Sequence, residues 1–192
     1  MGKTTIGSAF EADPSGIAAS TPGAKLDNGK PRVALCLFGF LPALHALFDP
    51  DGSQSHVVML RSAAMYPRSM EQVAMVTTKG VEKYTPNGWA SVPNGVDRYL
   101  DAYGRHLLKI GAGEVYDNGP GGTGCLHTAQ CVWNLLAALT LASIGHTPSA
   151  ALESIGLDGL RTLTLTELTC LERDLIGSEK EPPESCRHPE KS

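Results

Sequence analysis

The segment CLHTAQCVWNLLAALTLASI, from Cys125 to about Ile144, constrains the fold more than any other part of the chain. Val132, Leu135, Leu136, Leu139 and Leu141 make it apolar on most sides, and Gly145 stops it. A helix with no wet face must be surrounded, so this one is predicted to be the central, buried helix. The same segment carries His127, Gln130 and Asn134 at spacings of three and four, which puts them on one helical face. Buried polar groups need partners, so the three together predict an internal polar site. Taken singly, each is equally served by a bond to neighbouring backbone.

Other helices follow from spacing. Met70, Val73, Ala74 and Val81 share a face, which predicts a helix over 69–84 with Ser69 as its N-cap. VDRYLDAYGRHLLKI predicts a helix over 97–110, capped by Asn94 or Asp97 and ended by Gly111 and Gly113. Its apolar stripe is Leu100, Tyr103, Leu107 and Ile110, and its polar stripe is Arg98, Asp101, Arg105 and Lys109. In the apolar segment Val33–Phe48, Gly39 and Pro42 make a break, and ALHALF after Pro42 suits a short helix with proline in its first turn. His56–Met65 reads as a short strand or a buried helical turn. Residues 147–177 predict one or two helices, with Leu165, Leu168, Leu171 and Leu175 at helical spacing. The whole is an all-α chain.

Composition narrows the function classes. The net charge of −4 gives no field that would favour nucleic acid or an anionic membrane. No apolar run approaches the ~18 residues of a membrane-spanning helix, and MGKTTIGSAF lacks a signal pattern, so the expected location is the cytoplasm. Five cysteines without CxxC or finger spacing read as reduced thiols. Residues 1–24 read as a flexible arm, and the charged, proline-bearing tail 178–192 as disordered. The GKTT at Gly2–Thr5 lacks the glycine-rich strand-to-turn setting of a phosphate loop.

Several residues are suited to chemistry on an anionic substrate. Glu114 and Asp117, three apart, would point the same way on a helical turn and could share a Mg²⁺ or Mn²⁺ ion, although such pairs are common on solvated surfaces. Glu71 and Thr78 share one face of the helix 69–84, and Lys79 and Lys83 another; solvated charge is the plain alternative. Arg105 could clamp phosphate bidentately, or pair with Asp101 four residues earlier.

The order of these motifs is more specific than any one of them. KLDNGKPR, an apolar segment, MEQVAMVTTKGVEKYTPNGW, RYLDAYGRHLLKIGAGEVYD, a glycine-rich loop and CLHTAQCVWNLL follow one another. This series resembles the phage-type dATP/dGTP diphosphohydrolase N-terminal domain family, related to the MazG-like all-α nucleotide pyrophosphohydrolases. The similarity covers about residues 24–143, with an apparent insertion around 49–66. The first motif is carried by Lys25, Asp27, Gly29, Lys30, Pro31 and Arg32, and the second by Glu71, Val73, Ala74, Gly80, Lys83, Tyr84 and Trp89. Arg105, His106, Leu107, Gly113, Glu114 and Asp117 carry the third, and His127, Gln130 and Asn134 the fourth. Gln130 stands where the family usually has a second histidine.

The resemblance implies a MazG-like helical bundle over 25–146 and a C-terminal helical addition over 147–177. It implies metal-dependent hydrolysis of a purine deoxynucleoside triphosphate to monophosphate and pyrophosphate, in phage nucleotide-pool remodelling, by a homo-oligomer in the host cytoplasm. A triphosphate carries about four negative charges, which Mg²⁺ or Mn²⁺ must neutralise. On this reading Glu71, Glu114 and Asp117 hold metal, and Lys30, Arg32, Lys83 and Arg105 hold phosphate. His106 and His127 orient water or phosphate, with Glu114 counted in the catalytic set. Gln130 and Asn134 support the substrate, and Trp89 or Tyr84 stacks on the base. Two rivals stand beside it: an inactive protein that sequesters a nucleotide on the same fold, and an interaction protein using the central helix and the leucine-patterned C-terminal helix as an oligomer interface.

Overall fold

Among the described residues the chain forms seven α-helices, and the architecture is all-helical. The structure, a computed structural model, describes residues 13–18, 21–22, 24–25, 27–49, 52–145 and 150–178. The GKTT segment, Cys186 and nearly all of the charged tail lie outside them. The chain divides into two units, Met1–Pro31 and Arg32–Ser192. In the first, the Asp13 carboxylate accepts the Ser15 and Lys25 backbone N–H groups at 2.7 and 2.5 Å, and Lys25 pairs with Asp27 at 3.0 Å.

The second unit is built around α6, His127–Ser143. Every residue from Asn134 to Leu141 is buried, as its all-round apolar pattern requires. Helices α2 (Leu41–Phe48), α4 (Pro67–Lys83), α5 (Gly95–Gly111) and α7 (Ala150–Ser178) pack on it, while α1 (Val33–Gly39) packs on α4 and α2, and α3 (Ser55–Met65) on α2 and α4. Helix α5 lies along α6 most extensively. Gly95 makes that approach possible, since a Cβ there would sit 2.4 Å from Leu141 Cδ1. Among the described residues no strand forms; a single antiparallel bridge joins Tyr116 to Leu126.

Segment 55–65, which the sequence left between strand and helix, is helical, with Val58 and Ser62 buried four residues apart. The break at Gly39 and Pro42 separates α1 from α2, and Pro42 lies in the first turn of α2 as expected. Asn94, one of two expected caps, precedes α5 in a left-handed conformation, φ 53°, without a capping side-chain bond.

Ser69 is not an N-cap. Helix α4 begins at Pro67, and Ser69 lies buried inside its first turn. The anion that a helix N-terminus favours comes instead from α7. The buried Glu172 accepts the Ser69 N–H at 2.7 Å and the Arg68 N–H at 3.4 Å, with the Arg68 guanidinium at 3.7 Å. Ser69 Oγ donates to the Leu168 carbonyl, and Tyr66 Oη meets Thr169 Oγ1 at 3.2 Å.

The C-terminal addition is one long helical element kinked at Gly156, φ 71°. Leu160, Leu168 and Leu171 are buried against the body of the chain. Of its leucine stripe, Leu168 and Leu171 are buried in the core, and Leu165 and Leu175 pack against it partly buried. No described helix is long and apolar enough to cross a membrane.

Candidate functional site

The polar face of α6 opens toward α5 and the loop 114–126. His127, Gln130 and Asn134 are all buried. Asn134 partly follows the plain reading, since its Nδ2 donates to the Gln130 carbonyl at 2.8 Å. Gln130 reaches further: its Nε2 donates to Asp117 Oδ2 at 3.0 Å. Only an N–H can serve either acceptor, so both amide orientations are fixed and both amide oxygens point elsewhere.

Glu114 and Asp117 do not share a helical turn. The segment is extended and pairs with the approach to α6: the Asp117 N–H donates to the Cys125 carbonyl, the Gly124 N–H to the Asp117 carbonyl and the His127 N–H to the Val115 carbonyl, each at 2.9 Å. The glycines let the loop turn back so tightly that Thr123 N–H and Oγ1 donate to Asp117 Oδ2 at 2.9 and 3.3 Å. A Cβ on Gly122 would lie 2.2 Å from the Asp117 carbonyl oxygen, so no side chain fits there. Burial pushes the Asp117 carboxyl up. The Thr123 and Gln130 hydrogen bonds and the nearby His106 outweigh this and hold it below its ordinary value.

His106, from α5, brings its Nδ1 to 2.9 Å from His127 Nδ1. Partial burial holds the His106 imidazole below its ordinary 6.5; His127 and Arg105 push the same way, and Asp117 opposes them. His127 is 2% exposed and its Nε2 has no hydrogen-bond partner. The nearest charge is Glu114 Oε2 at 3.8 Å. The other Glu114 oxygen is held by Lys109 Nζ at 2.7 Å, which lowers the Glu114 pKa.

A cleft of about 1080 Å³ opens beside this cluster, between α4, α5, α6 and the loop. The 3-10 turn Gly88–Ser91 adds Trp89 to its lining, with Tyr99 from α5 and Trp133 from α6. Trp89 and Trp133 ring centroids are 5.9 Å apart, Tyr99 and Trp133 5.7 Å, and Phe40 backs both tryptophans at 5.0 and 5.5 Å. Trp133 Nε1 is spent on Thr77 Oγ1, and Tyr99 Oη on the Trp89 carbonyl. Lys79, Lys83, Arg98 and Arg105 line the cleft against only two carboxylates, Asp101 and Asp117. Among the described residues no salt bridge joins Arg105 to Asp101, whereas Lys79 pairs with Glu82 at 2.9 Å. Such a lining attracts a polyanion with an aromatic part.

Of the residues expected from sequence, Lys83, Tyr84, Trp89, Arg105, His106, Asp117, Gln130 and Asn134 line the cleft. Tyr84 is exposed, with Lys83 Nζ 5.3 Å from its ring centroid, while Trp89 sits within the aromatic cluster. His127 and Glu114 join through His106 without lining the cleft. Glu71 is exposed on α4 and is not among the lining residues. Exposed Arg32 is likewise not among them; its N–H donates to Thr78 Oγ1 at 2.8 Å. Lys30 is an exposed turn residue of the N-terminal unit, its N–H bonded to the Asp27 carbonyl.

Sequence reasoning assigned no role to Tyr99 or Trp133, left Arg98 within a generic polar stripe, and gave Asp101 only as a pairing partner for Arg105. Trp133 on an apolar helix reads as core. Only the helical spacing of Arg98, Asp101 and Arg105 carried a signal.

The structure does not group the three carboxylates expected to hold metal. Among the described residues, no three His, Cys, Asp or Glu side chains are grouped to hold an ion. One Glu114 oxygen is engaged by Lys109, and one Asp117 oxygen already accepts three hydrogen bonds.

The sequence model of the family described as dATP/dGTP diphosphohydrolase, N-terminal, matches residues 49–147, just over half of the chain. The match includes 49–66, read from the sequence as an insertion, and leaves the motif at 25–32 outside. No curated protein and no solved structure matches the chain.

Proposed function

The chain belongs to the dATP/dGTP diphosphohydrolase N-terminal family, and on that premise we propose that its cleft binds a purine deoxynucleoside triphosphate and hydrolyses it to monophosphate and pyrophosphate. One observation carries this reading: a single cleft combines an aromatic corner, four cationic side chains and a partly buried imidazole. Along α5, Tyr99 and His106 are separated by about 10 Å of helical rise. That is room for a base against Trp89 and Tyr99 and a phosphate chain beside Arg105 and His106. Arg105 offers a planar fork to phosphate oxygens, and Lys83 a second charge at the loop, where its Nζ meets the Gly121 carbonyl at 3.3 Å.

His106 supplies the base. Its imidazole, neutral at physiological pH, takes a proton from water as the water oxygen bonds to the α-phosphorus. The bond to the α–β bridging oxygen breaks, and pyrophosphate leaves with its electron pair. General-base assistance of this kind contributes roughly 10²–10⁴-fold. The divalent ion, Mg²⁺ or Mn²⁺, is part of the substrate, carried on the triphosphate, with Asp117 and Asp101 the carboxylates near its path. The same resemblance assigns the activity to remodelling of a phage nucleotide pool in the host cytoplasm, by a homo-oligomer.

Gln130 favours a second reading, a nucleotide-sequestering protein, because an amide moves no proton where the family usually has histidine. Chromatography of products from a panel of NTPs and dNTPs with Mg²⁺ separates the two. Monophosphate from dATP or dGTP supports the hydrolase; tight binding with intact ligand supports the sequestering protein.

A further inference from the structure

The contact between two Nδ1 atoms, His106 and His127, holds one proton, and its position decides what His106 shows the cleft. In one arrangement His106 Nδ1–H donates to His127 Nδ1. His127 then carries its other proton on Nε2, and His106 Nε2 is a bare lone pair. In the other, His127 Nδ1–H donates to His106 Nδ1. His127 Nε2 is then bare, and His106 offers an N–H to the cleft. The first makes His106 a base, the second an electrophile.

The buried end of the pair distinguishes them. His127 Nε2 is 3.8 Å from Glu114 Oε2 and has no other partner. His127 is buried while Glu114 reaches it from the half-exposed loop; a lone pair on the buried Nε2 facing that carboxylate is repulsive, whereas an N–H there is attracted to it. Lys109 Nζ takes the other Glu114 oxygen at 2.7 Å, which leaves this oxygen on the histidine side. We propose that Glu114 and His127 are positioning residues that hold His106 in the tautomer whose Nε2 is bare, and so make it the base of the cleft. Neither Glu114 nor His127 lines the cleft, whereas His106 does. The role of His106 as base rests on the hydrolase reading; the tautomer itself does not.

The relay predicts an inversion. In Glu114→Gln, Lys109 retains the amide oxygen as its acceptor, which turns the amide NH₂ toward His127 Nε2. That donor requires a bare Nε2 and sends the shared proton to His127 Nδ1, so His106 becomes the Nε2–H form.

The test is ¹⁵N NMR of histidine-labelled full-length protein at neutral pH, with signals assigned from the His106→Gln and His127→Gln spectra. The expected wild-type result is His106 protonated on Nδ1 and His127 on Nε2, both reversed in Glu114→Gln. A wild-type His106 protonated on Nε2, or tautomers unchanged in Glu114→Gln with the fold intact, overturns the proposal. In the same variant kcat is expected to fall by about 10²-fold or more with KM nearly unchanged. A wild type with the expected tautomers but no turnover supports the relay and overturns the hydrolase reading.

Discussion

His106 Nδ1 and His127 Nδ1 stand 2.9 Å apart, on helices that the sequence separates by a 15-residue connection. The contact joins the buried polar face of α6 to the cleft wall of α5. The extended segment 114–117 closes it from one side, through Glu114 near His127 Nε2 and Asp117 near His106.

If His106 is the base as proposed, its state gives the reaction a pH dependence of definite sign. Burial, then His127 and Arg105, hold its pKa below 6.5, against Asp117. The imidazole is therefore neutral through physiological pH. kcat/KM is expected to be flat there and to fall only as pH drops through a value below 6.5. Stability runs the same way: the unfolded chain protonates this histidine first, so its contribution is present above 6.5 and is lost as pH falls through the folded value. A pH–rate profile breaking above 6.5 would contradict this.

On the proposed reading, base stacking is expected of Trp89 rather than Tyr84, because Trp89 is set in the aromatic cluster and Tyr84 lies exposed. Stacking of a base on an aromatic ring is worth about 1–3 kcal/mol. Trp89→Ala should therefore raise KM about 5- to 150-fold, with Tyr84→Ala changing it far less. Steady-state kinetics, with thermal melts to confirm folding, decide between them.

Glu172 should matter to stability and not to chemistry. Its loss leaves the Ser69 N–H buried without an acceptor and the N-terminus of α4 without its anion. Glu172→Ala is expected to cost about 1–3 kcal/mol in urea unfolding, with KM unchanged. A variant as stable as wild type would show that α7 does not hold α4.

Chelation separates a substrate-borne ion from a resident one. Since no three-ligand group forms among the described residues, EDTA should stop turnover without lowering the thermal midpoint. A midpoint that falls on chelation and recovers with Mg²⁺ would reveal a resident ion.

Much of this arrangement is legible in the sequence because it rests on helical period. The apolar circumference of α6 foretold its burial, and the spacing of His127, Gln130 and Asn134 foretold an inward polar face. The family was legible because its motifs keep their order. What escaped depends on contacts between distant segments. No local pattern shows that Glu172 caps α4 from about a hundred residues away, so Ser69 looked like the cap. Glu114 and Asp117 suggested a helical turn because periodicity cannot see the bridge between Tyr116 and Leu126 that extends them. The aromatic corner escaped because Trp133, read along α6, is indistinguishable from core.

The most direct test of the central claim is hydrolysis of dGTP in ¹⁸O-labelled water with Mg²⁺, read by mass spectrometry for wild type and His106→Ala. The account predicts dGMP carrying one ¹⁸O and unlabelled pyrophosphate from the wild type. His106→Ala should be slower by about 10²-fold or more. Intact dGTP from the wild type, label in the pyrophosphate, or a His106→Ala variant as fast as wild type would contradict it.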